Sequence, residues 1–144
     1  MRLPIRNRVI MGADGTPYTY DSVRKEWLGP PMVVVANNTI SASTMYLRYG
    51  NQISSSSRGW LTPFALKIVG GTISSGASAT ADLQARVGGS SQGVVVALAA
   101  ATTGSSSTAD INIAAGVQLA LYLTASVGTP NTIIASIIIR QRMA

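Results

Sequence analysis

Five carboxylates, two lysines and many serines, with no histidine and no cysteine, are the first groups to weigh for acid–base or nucleophilic chemistry in this 144-residue chain. A metal site needs clustered His, Cys or carboxylate ligands, and the carboxylates are scattered at Asp14, Asp21, Glu26, Asp82 and Asp110. A paired-carboxylate glycosidase would have to draw on that same short list. Asp82 and Asp110 fall on outward positions of expected strands, where solvation or cross-strand ion pairing is the ordinary role. A serine nucleophile would need Lys25 or Lys67 as its base, and no motif supports either. Gly70-Gly71 and Gly88-Gly89 each separate two expected strands and open no helix, so they match neither a phosphate loop nor a dinucleotide fingerprint. The expectation is a protein that is not an enzyme, with no catalytic residue, metal or cofactor, and that acts through contact.

The charge is the next clue. Eleven Lys and Arg against five Asp and Glu give +6, which favours an acidic partner. Charged residues are nevertheless only 11% of the chain, well below the roughly 25% of ordinary soluble domains. Arg2, Arg6, Arg8, Arg24 and Lys25 could neutralise phosphates. The Leu3, Ile5, Val9 and Ile10 interleaved with them resemble instead an arm that adds a strand to a neighbouring sheet. Protein contact is therefore ranked above nucleic acid.

The elements that must carry these residues are strands. Ala77 to Val87 places Ala77, Ala79, Ala81, Leu83, Ala85 and Val87 on one side and Ser78, Thr80, Asp82, Gln84 and Arg86 on the other, the period of a half-buried strand. Further strands are expected at Met32–Ala36, Thr44–Arg48, Phe64–Val69, Gly93–Ala99, Ala109–Ala114, Val117–Ala125 and Thr132–Arg140. Turn residues fill the gaps: Ala36-Asn37-Asn38, Gly50-Asn51, Gly70-Gly71, Gly88-Gly89, Gly104 to Ser107, and Gly128 to Asn131. About eight short strands with regular turns predict an all-β fold, an antiparallel β-sandwich or jelly roll. Ahead of it, residues 1–31 show no steady period and read as an extended N-terminal arm with one hairpin at Ala13-Asp14-Gly15; residues 32–144 form the sandwich. The apolar stretch Val117 to Ile139 is broken at Gly128-Thr129-Pro130-Asn131, so it reads as two strands and not a membrane span, and Met1 to Ile10 lacks the apolar region of a secretory signal.

The last two strands differ in kind. Val117, Leu119, Leu121, Leu123 and Ala125 form one inner face, while Gln118, Ala120, Tyr122 and Thr124 form a mixed face that could be wet or could meet a neighbour. In Thr132–Arg140, Ile133, Ile137 and Ile139 alternate with Ile134 and Ile138, so both faces are apolar and both need cover. Either the arm folds back over this strand or a second subunit packs on it; left bare, it would be a template for aggregation. Tyr18, Tyr20, Trp27, Tyr46, Tyr49, Trp60 and Phe64 crowd the first half of the chain. Rings beside a basic arm suit an interface anchor as well as they suit one end of a core.

Tyr20-Asp21-Ser22-Val23-Arg24-Lys25-Glu26-Trp27-Leu28, Tyr46-Leu47-Arg48, Gly59-Trp60, and Ala115-Gly116 through Pro130 to Ile139-Arg140 resemble small β-sandwich virion proteins of tailed bacteriophages. That family comprises capsid decoration or cement proteins and the related head domains of fibres. The resemblance implies a homotrimer on the outer capsid surface, assembled in the host cytoplasm and bridging neighbouring major capsid proteins. The resemblance does not extend to the arm ahead of Tyr20; from the residues themselves, Arg2, Arg6, Arg8, Arg24, Lys25 and Trp27 are expected to grip the shell, and Tyr122, Ile134 and Ile138 to lie between subunits. Two other roles are open: a fibre or baseplate module holding host glycan through Tyr46, Tyr49, Asn51 and Arg48, and a single-strand-binding domain. The second ranks last, because the rings are not interleaved with basic residues along strands.

Overall fold

In a computed structural model, which describes residues 8–143, every regular element is a β-strand. In chain order these are β1 (Val9–Met11), β2 (Pro17–Asp21), β3 (Glu26–Ser41), β4 (Thr44–Tyr46), β5 (Trp60–Leu61), β6 (Leu66–Val87), β7 (Ser90–Ser106), β8 (Ile111–Ile113), β9 (Gln118–Val127) and β10 (Asn131–Arg142). They form one hydrogen-bonded antiparallel network in the order β1-β2-β3-β10-β6-β9-β4, with β7 and β8 on β6 and β5 on β9.

The 22-residue β6 is the spine. Its first part pairs with β10 on one side and with β8 and the end of β7 on the other; its second part pairs with β9 and the start of β7. Between the two parts the β6–β7 register breaks from Ser74 to Ala79, so the strand bends and the network folds over itself. The core lies inside the fold. Ile68, Ile73, Ile133, Ile137 and Ile139 from the first part meet Leu83, Ala85, Leu119, Leu121 and Leu123 from the second. The alternation seen in the sequence is the alternation found: Ala79, Ala81, Leu83 and Ala85 are buried, while Thr80, Asp82, Gln84 and Arg86 are half-buried. The all-β antiparallel expectation therefore holds.

The strands are longer and fewer breaks separate them than the turn residues suggested. Gly70-Gly71 is not a turn; both glycines sit within β6, paired to Ile138 and Ile137. Glycine is needed there for close approach, since a Cβ at Gly70 would run into the carbonyl oxygen of Ser106 and one at Gly71 into that of Ser136. Asn37-Asn38 likewise continues β3, and a bulge opposite Asn131 to Ile133 takes up the irregularity. Gly104 to Ser106 lies within β7.

The stretch expected as a free arm is joined to the sheet from Val9 onward. Val9 pairs with Thr19, Thr19 with Leu28, and β3 then runs along β10 from Leu28 to Ser41. The expected hairpin is present: Gly15 donates to the Gly12 carbonyl at 3.0 Å and has φ +80°. Tyr18 is buried beneath it. Arg2 and Arg6 lie outside the described residues.

Candidate interaction surfaces

Antiparallel register fixes what β10 shows to the outside. Ile138 stands between Val33 and Gly70, Ser136 between Val35 and Thr72, and Ile134 between Asn37 and Ser74. Since residues two apart share a face, these nine positions form one outer surface, and none is charged. Ile133, Ala135, Ile137 and Ile139 point the other way and are buried. Ile134 is 58% exposed, Val33 62% and Val35 55%; Ile138 is half-buried. Val33 and Val35 were missed as candidates. Their signal was the apolar run Met32-Val33-Val34-Val35, which carries no alternation by which to tell its faces apart.

Tyr122 is placed elsewhere. It belongs to the outer face of β4, β9 and β6, where its ring lies 4.8 Å from that of Tyr46 and the Arg86 guanidinium stacks over it at 3.7 Å. Arg86 also donates to Gln84 Oε1 at 3.0 and 3.1 Å. The cluster satisfies itself and is separate from the β3–β10 surface. Tyr49 is turned inward, donating its hydroxyl to the Leu119 carbonyl at 2.8 Å, and burial pushes its pKa up.

A second surface lies where β2 and β3 meet the end of β10. Tyr20 pairs with Trp27, and their rings touch edge to face at 5.4 Å. Extending the β1–β2 register back one residue sets Arg8 beside Tyr20. Trp27, Glu26, Arg142 and Met143 line an open cleft of about 360 Å³. Lys25 stands exposed at the turn with φ 56°, a left-handed conformation. Thus Arg8, Lys25 and Trp27 share one end of the molecule.

Arg24 does not join them. Its Nε donates to the Ala109 carbonyl at 2.9 Å, its Nη2 to the carbonyls of Val69, Ser107 and Ala109 at 2.7 to 2.9 Å, and its Nη1 to Asp21 Oδ2 at 2.9 Å. The Asp21 carboxylate also receives the backbone N–H groups of Val23 and Arg24 and lies 3.7 Å from Arg140. Beside this cluster, Lys67 is buried between Glu26 at 2.7 Å and Asp110, and Glu26 reaches Arg142 at 3.3 Å. Asp110 thus has the ion-pairing role expected of it.

These pairings link stability to pH. Burial disfavours the charged form of Asp21, but hydrogen bonds and charge from Arg24 outweigh it and hold the carboxyl below its ordinary value. Burial likewise opposes ionised Glu26, and Lys67 then Arg142 outweigh it. Burial lowers Lys67, but Asp110 and Glu26 reverse that and raise it. Depressed carboxyls stabilise the fold above their unfolded pKa and lose that contribution as pH falls through the folded one; the raised lysine contributes until pH climbs past its ordinary range. The melting temperature should be level between about pH 5 and pH 9 and fall below about pH 4. Thermal unfolding followed by circular dichroism across that range checks it.

The geometry defines an all-β protein built on one folded antiparallel network of strands. No family model matches the chain, and no curated protein matches it. Among solved structures it is similar to the PRD1 vertex protein P5, with 12% sequence identity and a TM-score of 0.48 over 92% of this chain and 85% of that one.

Proposed function

We propose that this chain is a structural virion protein of the capsid decoration type, working as a homotrimer that bridges neighbouring major capsid proteins and stabilises the shell. The observation that carries this reading is the division of its surface. An uncharged apolar face on β3 and β10 suits sister copies, and a separate end bearing Arg8, Lys25 and Trp27 suits an acidic shell protein. The likeness of Tyr20 to Leu28 and of the closing strand to phage virion β-sandwiches supports it further. Bridging requires a rigid body, and a sheet spanned by a 22-residue strand is one. Three copies acting together would gain avidity with no new kind of contact.

The test is trimming, and the fold says where to cut. Removing twenty residues would strip β1 and most of β2 together with buried Tyr18. Removing Met1 to Asn7 leaves every described strand in place. The trimmed protein should melt within about 2 °C of the full chain, yet its affinity for undecorated particles should drop at least tenfold, since Arg2 and Arg6 leave each of three subunits. Particle imaging and co-sedimentation provide the readout; a trimmed protein that decorates shells as well as the full chain overturns this attachment. Replacing Trp27 with Ala on the full chain tests the neighbouring anchor in the same assay.

A further inference from the structure

We infer that the nine-residue surface centred on Ser136 is where copies of this chain meet, with Val33, Val35, Ile134 and Ile138 as its apolar contacts. The inference deepens the assembly proposed above and rests on it for the number three.

Start with the edge. Asn37 exchanges both of its backbone hydrogen bonds with Arg48, at 2.6 and 2.8 Å, so its N–H and C=O point away from β10. Backbone groups two residues apart on a strand point the same way, so those of Val33 and Val35 also face away from β10. Among the described residues no strand pairs with them there. The face and the edge beside it are thus open together. Natural sheets blunt such edges with charge, proline or cover; here Pro30 and Pro31 guard one end, and Met32 to Ser41 contains no charged residue.

Charge points to a second copy and not to an acidic partner. Each chain carries +6, so two copies repel over most of their surfaces. They approach most readily through a patch without charge, and this is one. A partner recognised by its acidity would instead seek clustered cations, whereas none of the nine positions is charged and register sets Arg48 beside Asn37 at one rim. Association through it should hold or tighten as salt is added, because screening removes the repulsion between copies.

Sedimentation of the purified full chain tests this, alongside Ile134→Lys and Val35→Lys, with Val127→Lys as control. Val127 is 65% exposed on β9, outside the patch. All three substituted positions are solvent-facing in the single chain, so circular dichroism should show each variant folded. The wild type and the control should sediment as three chains, undiminished in higher salt. Both patch variants should associate at least about thirtyfold more weakly, as expected when a central contact is lost. A wild type that stays a single chain at ~100 μM, or patch variants that associate like the wild type, overturns the inference. If the wild type is single and the patch variants lose particle binding, the face docks on the shell protein; the inference falls and the decoration role stands. If the trimer forms as described but no particle is bound, the inference stands and the decoration role falls.

Discussion

Replacing Ile137 with Ala should destabilise the fold by about 3–4 kcal/mol, within the range for deleting a large aliphatic side chain from a core. Ile137 is fully buried between the two folded parts of the sheet, and its strand neighbours across β10 are Val34 and Gly71. Gly71 has no side chain to move into the space, and its tight approach to the Ser136 carbonyl keeps the backbone from closing in. The cavity would therefore stay open, which places the cost in the upper half of the range. At about 3 °C per kcal/mol for a chain of this size, the melting temperature should drop by roughly 10 °C. The adjacent Ile138→Ala supplies the contrast: half-buried on the outer face, it should cost the separated subunit less than about 1 kcal/mol. Urea unfolding at a protein concentration low enough to keep the wild type and both variants dissociated, so that association does not enter the midpoint, measures both. Equal losses at the two positions would mean that the assignment of inner and outer faces on β10 is wrong.

That pair shows what the sequence carries and what it leaves out. Period-two alternation was enough to find the second half of β6, β9 and β10, and to separate Leu83, Leu121 and Ile137 from Asp82, Tyr122 and Ile138. It signals only which residues share a face. Which face is covered, and by what, depends on the neighbours across the sheet, and these come from distant parts of the chain: β10 lies between β3 and β6. The same limit explains the patch, since Val33 and Val35 join Ile134 and Ile138 only through register. Glycine pairs misled for a related reason. Gly88-Gly89 has positive φ and makes a turn, whereas Gly70-Gly71 has none and serves close packing; the two dipeptides are identical in composition. A basic, proline-bearing stretch reads as a solvated arm, yet between Val9 and Pro31 it is drawn into the sheet by Tyr18, Leu28 and a guanidinium that finds carbonyls near residues 69, 107 and 109.

That guanidinium leads to the other large effect. Arg24→Ala should cost about 3 kcal/mol and release the β2–β3 hairpin from the body. Removing the side chain leaves the carbonyls of Val69, Ser107 and Ala109 without the donor they share, and strips Asp21 of its ion partner in a largely buried setting. Unsatisfied acceptors of this kind cost about 1–3 kcal/mol, and breaking a buried ion pair by removing one partner about 3–5 kcal/mol. Partial access of water and the nearby Arg140 bring the sum toward the lower figure. Arg24→Lys should recover less than half of the loss, because an ammonium on a flexible stem cannot present the planar fork that meets three carbonyls and a carboxylate at once. Hydrogen exchange locates the effect: amides of Tyr18 to Leu28 should lose protection while those of Leu119 to Leu123 in β9 keep theirs. The same variant separates the two roles this arginine could have. As a partner-binding residue it would lose particle affinity with stability unchanged; as the clasp described above, it loses stability first, and particle affinity falls only as far as the loosened hairpin misplaces Lys25 and Trp27.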